Sequence, residues 1–149
     1  MIKQTVTALI FRGNDILAVS RKDNHNDFGL CGGKLDDTDD SLETAIIREV
    51  KEETGLDIIN PMPFFKRIHT GRYGDEYECT CFLVESYSGE INTKEAGVVK
   101  WSSFDEINEG CFGEYNKKLQ LKIMKMWSMF KLLQSYEDFS NRVIQIKKV

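Results

Sequence analysis

The segment GGKLDDTDDSLETAIIREVKEETGL, residues 32–56, reads as a glycine turn, an acidic linker and a helix. Asp40-Ser41-Leu42-Glu43 fits a helix start, with Asp40 or Ser41 as N-cap and Glu43 near the third position, and Gly55 fits the stop. A helix advances about 100° per residue. Ile46, Ile47, Val50 and Thr54 therefore share one arc, while Glu49, Glu52 and Glu53 share another with Arg48 beside it. Like charges at these spacings cost roughly 0.2–0.5 kcal/mol per pair, small enough for a solvated face to bear. The residues just upstream argue for more. Clustered oxygen donors suit Mg²⁺ or Mn²⁺, which bind through carboxylates plus substrate phosphates. Gly32-Gly33-Lys34 lets the backbone approach a ligand closely and offer it a carbonyl or an N–H. Glycine turn and acidic helix together read as a site for metal-bridged phosphates.

Working outward, residues 3–11 and 16–20 read as strands joined by the turn Gly13-Asn14-Asp15. Residues 21–40 read as a polar and then glycine- and aspartate-rich loop. Strands follow at 62–69, 76–86 and 97–101, the first two separated by Gly71-Arg72-Tyr73-Gly74-Asp75. From about residue 114 to about 139, Leu119, Ile123, Met126, Trp127, Phe130 and Leu133 recur with helical period, and the stripe is expected to pack in the core. Strands on both sides of a central helix, with a second helix at the end, predict an α+β fold whose mixed sheet is covered on both faces.

The 149 residues, 41% hydrophobic and 30% charged, exclude disordered and low-complexity classes and give the size of one domain. No run is long and apolar enough for a membrane span, and the first residues alternate polar with apolar, so a cytoplasmic protein without membrane partners is expected. Cys31, Cys79, Cys81 and Cys111 lack zinc-ligand spacing and are expected to be buried thiols. Residues 1–116 hold 12 Lys+Arg against 22 Asp+Glu, a balance of −10, and residues 117–149 hold 8 against 2, a balance of +6. An acidic body argues against a general nucleic-acid binder. Carboxylates that gather a divalent metal would still attract a phosphate chain.

Residues 32–56 resemble the signature of the Nudix hydrolases: glycine, five residues, glutamate, seven residues, then Arg-Glu-aliphatic-x-Glu-Glu-x-Gly-aliphatic. Arg48-Glu49-Val50-Lys51-Glu52-Glu53-Thr54-Gly55-Leu56 matches the second half throughout. The first half departs, because counting back from Arg48 puts Asp40 at the glutamate position whereas counting forward from Gly33 puts Asp39 there. Cys31 stands where many members have proline. The resemblance implies an α/β/α sandwich, the Nudix fold, over residues 1–149 as a single domain with a long C-terminal helix from about 114. It also implies Mg²⁺-dependent hydrolysis of a diphosphate linkage in a nucleoside diphosphate-X substrate, Mn²⁺ substituting. Carried over by position, Gly32 (through its carbonyl), Glu49, Glu52 and Glu53 hold metal, Glu49 or Glu53 serves the chemistry, and Arg48 orients the carboxylates.

Beyond the motif, Lys94-Glu95-Ala96-Gly97-Val98-Val99-Lys100-Trp101 is similar to the MutT-like branch, the nucleoside-triphosphate pyrophosphohydrolases, and would make Glu95 a further metal ligand. Asn116, fifteen residues after Trp101, matches that branch's base-reading asparagine, and an amide both donates and accepts. Lys34 is a candidate for phosphate, and Phe28, Tyr73 and Tyr115 for stacking on a base. Triphosphates to monophosphate plus pyrophosphate, 8-oxo-dGTP included, are the leading substrates. Tyr73 supports dinucleoside polyphosphates or ADP-ribose as the alternative. A non-catalytic nucleotide or RNA module using the basic tail is the reading from another class. His25 reads as a loop residue and His69 as a strand residue.

Overall fold

The computed structural model describes residues 2–71, 73–95 and 97–148; Arg72 and Ala96, within two of the segments quoted above, lie outside them. Among the described residues seven strands share one mixed sheet. They are β1 (Lys3–Leu9), β2 (Phe11–Arg12), β3 (Asp15–Ser20), β4 (Phe28–Lys34), β5 (Asp57–Thr70), β6 (Glu76–Ser88) and β7 (Val99–Ser102). The order is β2-β3-β4-β1-β6-β5, with β7 on β3. β1 runs parallel to β6 and antiparallel to β4. The helices are α1 (Leu42–Thr54), α2 (Phe104–Asn108) and α3 (Gly113–Lys147).

Beyond shifted ends, such as β5 starting at Asp57 and not 62 and α3 running to Lys147 and not about 139, two segments depart from the sequence reading. Residues 28–34, expected as loop, form β4 in the middle of the sheet. The glycines there are a consequence of crowding: Gly32 has φ +156°, and a Cβ on it would stand 2.0 Å from the carbonyl oxygen of Val6 on β1. α2, capped by Ser103, was not foreseen, because five residues are too few to show a period.

Register decides what faces what. Thr5 lies opposite Lys34 and Cys79, Thr7 opposite Gly32 and Cys81, and His69 opposite Tyr77. Side chains alternate along a strand, so these residues share one face of the sheet. The other face carries Val6, Ala8, Cys31 and Phe82, which form a buried cluster with Ala45, Ile46 and Val50 of α1. Ile47, placed on that arc by the wheel, is exposed. Cys31, Cys79 and Cys81 are buried free thiols, but Cys111 is exposed in the turn after α2.

The chain divides into two compact units, residues 1–116 and 117–149. The second is helical, and Met126, Trp127, Phe130 and Leu133, expected in a core, are exposed. A lone helix has no second element of its own to cover such a stripe. No helix among the described residues is long and apolar enough to cross a membrane.

Candidate active site

The site is built on α1. Ser41, not Asp40, caps it: the Ser41 hydroxyl accepts from the Thr44 N–H at 3.1 Å. Gly55, at φ +82°, ends it with its N–H donating to the Lys51 carbonyl. Between those caps the helix presents Arg48, Glu49, Glu52 and Glu53.

Arg48 makes five hydrogen bonds. Its Nε and Nη2 grip Asp39 at 3.0 and 2.7 Å, Nη1 reaches Glu49 Oε1 and Glu52 Oε2 at 3.0 Å each, and Nη2 also reaches the Lys34 carbonyl at 3.2 Å. A guanidinium has five N–H donors in a rigid fork. The bidentate partner is Asp39, the residue reached by the forward count from Gly33, and its side chain is 2% exposed. The Arg48 guanidinium holds the Asp39 carboxyl below the usual carboxylate range.

Glu49 is 14% exposed and lies against Gly33, where a Cβ would come within 2.3–2.5 Å of its carboxylate. Glu53 accepts the Gly32 N–H at 2.9 Å, so that glycine meets the helix through its N–H. Burial raises the carboxyls of both Glu49 and Glu53; the charges of Glu52 and Asp39 push Glu49 further up, and that of Glu49 pushes Glu53. Glu52 is 50% exposed. Glu95 is paired with Lys22. Its loop is tied to α1 through Thr93, whose hydroxyl accepts from the Glu95 N–H and donates to the Glu52 carbonyl.

No group of three Asp, Glu, His or Cys side chains among the described residues forms a ready metal cage. Mg²⁺ does not require one, since it keeps several waters and is completed by substrate phosphates. Two part-buried carboxylates with raised affinity for protons, Glu49 and Glu53, are an oxygen-only donor set, and they fit such an ion.

Three cavities share Phe112 as a wall, and the first two also share Gly32. The first, about 350 Å³, is lined by Arg21, Lys22, Gly32, Glu53 and Phe112. The second, about 130 Å³, is lined by Thr5, Thr7, His69, Phe112, Tyr115 and Asn116. The third, about 880 Å³, includes Arg21, Lys34, His69, Tyr73, Tyr77 and Phe112. Asn116 is buried and donates through Nδ2 to the Ile107 carbonyl at 3.1 Å. Tyr73 is 87% exposed, on the turn between β5 and β6. Phe28, a candidate for stacking, is buried under the Lys100 ammonium and lines none of the three cavities; β4 starts with it opposite Ser20. His69, Arg21 and Phe112 went unrecognised, since strand register brings in His69 and the segments after β3 and before α3 bring in Arg21 and Phe112, none of which leaves a local spacing.

The NUDIX domain family model matches residues 1–121. The chain belongs to the Nudix hydrolase family. A protein of Bacillus subtilis (strain 168), YvcI, described as an uncharacterized Nudix hydrolase, is 30% identical over 111 residues, covering 70% of this chain and 68% of its own length. The crystal structure of a MutT Nudix hydrolase from Burkholderia pseudomallei is similar with a TM-score of 0.63 and 26% identity, over 70% of this chain and 85% of that one. The Nudix domain of Shewanella oneidensis NrtR, solved with ADP ribose, shares the fold with a TM-score of 0.68 at 19% identity, over 85% of this chain and 89% of that one. This Nudix hydrolase is thus an enzyme with the sandwich fold expected of it, of a family that cleaves the pyrophosphate linkage of nucleoside diphosphate-X compounds.

Proposed function

We propose that this Nudix hydrolase converts (deoxy)nucleoside triphosphates, 8-oxo-dGTP among them, to the monophosphate and pyrophosphate with Mg²⁺, in the cytoplasm. The observation that carries the reading is the pair Glu49 and Glu53: part-buried, raised in proton affinity and set against Gly33 and Gly32, with Glu53 and Gly32 in the wall of the first cavity. Glu49, Glu52, Glu53, Glu95 and Gly32 would hold the metal, which supplies charge neutralisation at phosphate and a lowered pKa for the attacking water. Glu49 takes the water's proton, its carboxylate being held by Arg48 through Oε1 with Oε2 outside that bond. Arg48 fixes Glu49 and Glu52 from one side while Asp39 fixes Arg48. Lys34 contacts the phosphate chain, and Asn116 recognises the base edge from the second cavity.

The size of the third cavity favours a second reading, in which Tyr73 and Lys34 accept the larger half of a dinucleoside polyphosphate or of ADP-ribose. Incubation with Mg²⁺ and a panel of triphosphates, dinucleoside polyphosphates and ADP-ribose, with products resolved, tests both. Pyrophosphate from a triphosphate is the expected result, and Glu53→Gln should abolish most of it. Exclusive cleavage of the larger substrates would establish the second reading, and binding without turnover would overturn both.

A further inference from the structure

We propose that His69 reads the edge of the substrate's base in the second cavity, a role that rests on the nucleotide-hydrolase reading above. The imidazole belongs to β5, opposite Tyr77 on β6, and lies on the sheet face turned away from α1. Its ring stacks on Tyr77 with centroids 5.6 Å apart and planes at 20°. Phe112 and Tyr115 stand against it at 5.7 and 6.0 Å, tilted by 84° and 62°. Three aromatic neighbours fix the orientation of the ring, so what it has left to offer a ligand is hydrogen bonding in its own plane.

That capacity is unspent. His69 Nδ1 is buried and has no hydrogen-bond partner, and the same is true of Thr5 Oγ1. Both residues line the second cavity with Asn116. Buried polar atoms are almost always paired, and orphans call for an explanation. A flat heterocycle with donors and acceptors along its rim would satisfy both atoms. Burial lowers the affinity of the imidazole for a second proton, which keeps it neutral at neutral pH, one ring nitrogen donating and the other accepting. A neutral ring of this kind discriminates between base edges. A cation would favour any acceptor.

The test compares wild type, His69→Phe and His69→Asn. Phe keeps the aromatic packing and removes Nδ1, whereas Asn restores a polar atom near the Nδ1 position. Hydrolysis of purine and pyrimidine triphosphates with Mg²⁺ is measured beside calorimetric titration of the corresponding nucleoside monophosphates without metal. For the wild type's preferred base, His69→Phe should lose about tenfold in kcat/KM, carried by KM, with a matching loss of monophosphate affinity. The least preferred base should change little, and His69→Asn should recover part of the selectivity. Equal loss for every base, unchanged selectivity, or no monophosphate binding by the wild type would overturn the assignment. Base-selective binding that depends on His69 in a protein that turns over no triphosphate would uphold it and overturn the substrate reading instead.

Discussion

Gly33→Ala separates the fold from the chemistry. Gly33 lies within β4 and is not among the glycines of positive φ, so an alanine suits its backbone. The new Cβ would stand 2.3 Å from Glu49 Oε1 and 2.5 Å from Oε2. An ordinary contact is about 3.5 Å, so the carboxylate must retreat by about 1 Å. It is the free end of a flexible side chain and is able to do so. The retreat breaks the 3.0 Å bond from Arg48 Nη1, at a cost of about 1 kcal/mol, or a fall of about 2–4 °C in Tm. The reaction suffers far more, because a displacement of about 1 Å at a working group costs about a hundredfold in rate. The assay is kcat for nucleotide hydrolysis at saturating Mg²⁺ beside a thermal melt. A kcat within threefold of wild type would refute the placement of Glu49 in the chemistry. A loss of folding would refute the claim that the side chain, and not the strand, yields.

Gly32→Ala should behave in the opposite way: its Cβ meets the Val6 carbonyl at 2.0 Å and the Thr7 Cα at 2.8 Å, both backbone, so a melt should show about 3 kcal/mol of destabilisation or failure to fold. Asp39→Asn should loosen Arg48 and lower kcat, whereas Asp40→Asn should leave kcat within twofold; equal effects would return the motif's register to ambiguity. Burial raises the carboxyls of Glu49 and Glu53, so the folded protein binds their protons more tightly than the unfolded chain does. Without metal their contribution is destabilising at neutral pH, and the penalty is relieved as pH falls through the raised values toward the ordinary 4.5. Mg²⁺ should raise Tm at neutral pH, and both that gain and the activity should fade over the same acidic range; a gain independent of pH would show that the ion binds elsewhere.

The helix and its chemistry were legible because period and motif lie within one short segment: Ala45, Ile46 and Val50 face the core while Glu49, Glu52 and Glu53 turn from it. β4 was not legible. Its glycines have the composition of a turn, and their reason is the proximity of Val6, which is distant in sequence. Counting also left Asp39 and Asp40 open, since it does not reveal which carboxylate folds back onto Arg48; the structure has Asp39 there. His69 and Phe112 reach one cavity through pairing of β5 with β6 and the turn before α3, contacts with no local trace. For residues 126–133 the period indicated an apolar stripe but carried no information on whether anything covers it.

The hydrogen bonds around α1 explain how a cluster of like charges is positioned without being consumed. Arg48 engages Oε1 of Glu49 and Oε2 of Glu52, and the Gly32 N–H engages Oε2 of Glu53. In each case one carboxylate oxygen is spent on fixing the side chain, and the second is outside that bond. Asp39 differs, giving both oxygens to Arg48, as befits a residue that acts through the guanidinium. Glu95 differs again: it is held by Lys22, whose ammonium also lies in the field of Glu49 and Glu53. Cations thus bracket the cluster, Arg48 beside Glu49 and Glu52 and Lys22 at Glu95. A divalent ion could enter between them without disturbing Arg48, whereas recruiting Glu95 would require Lys22 to leave its partner. On the proposed reading, the phosphate chain of a nucleotide would take up the released ammonium, and substrate binding would then be coupled to completion of the metal site.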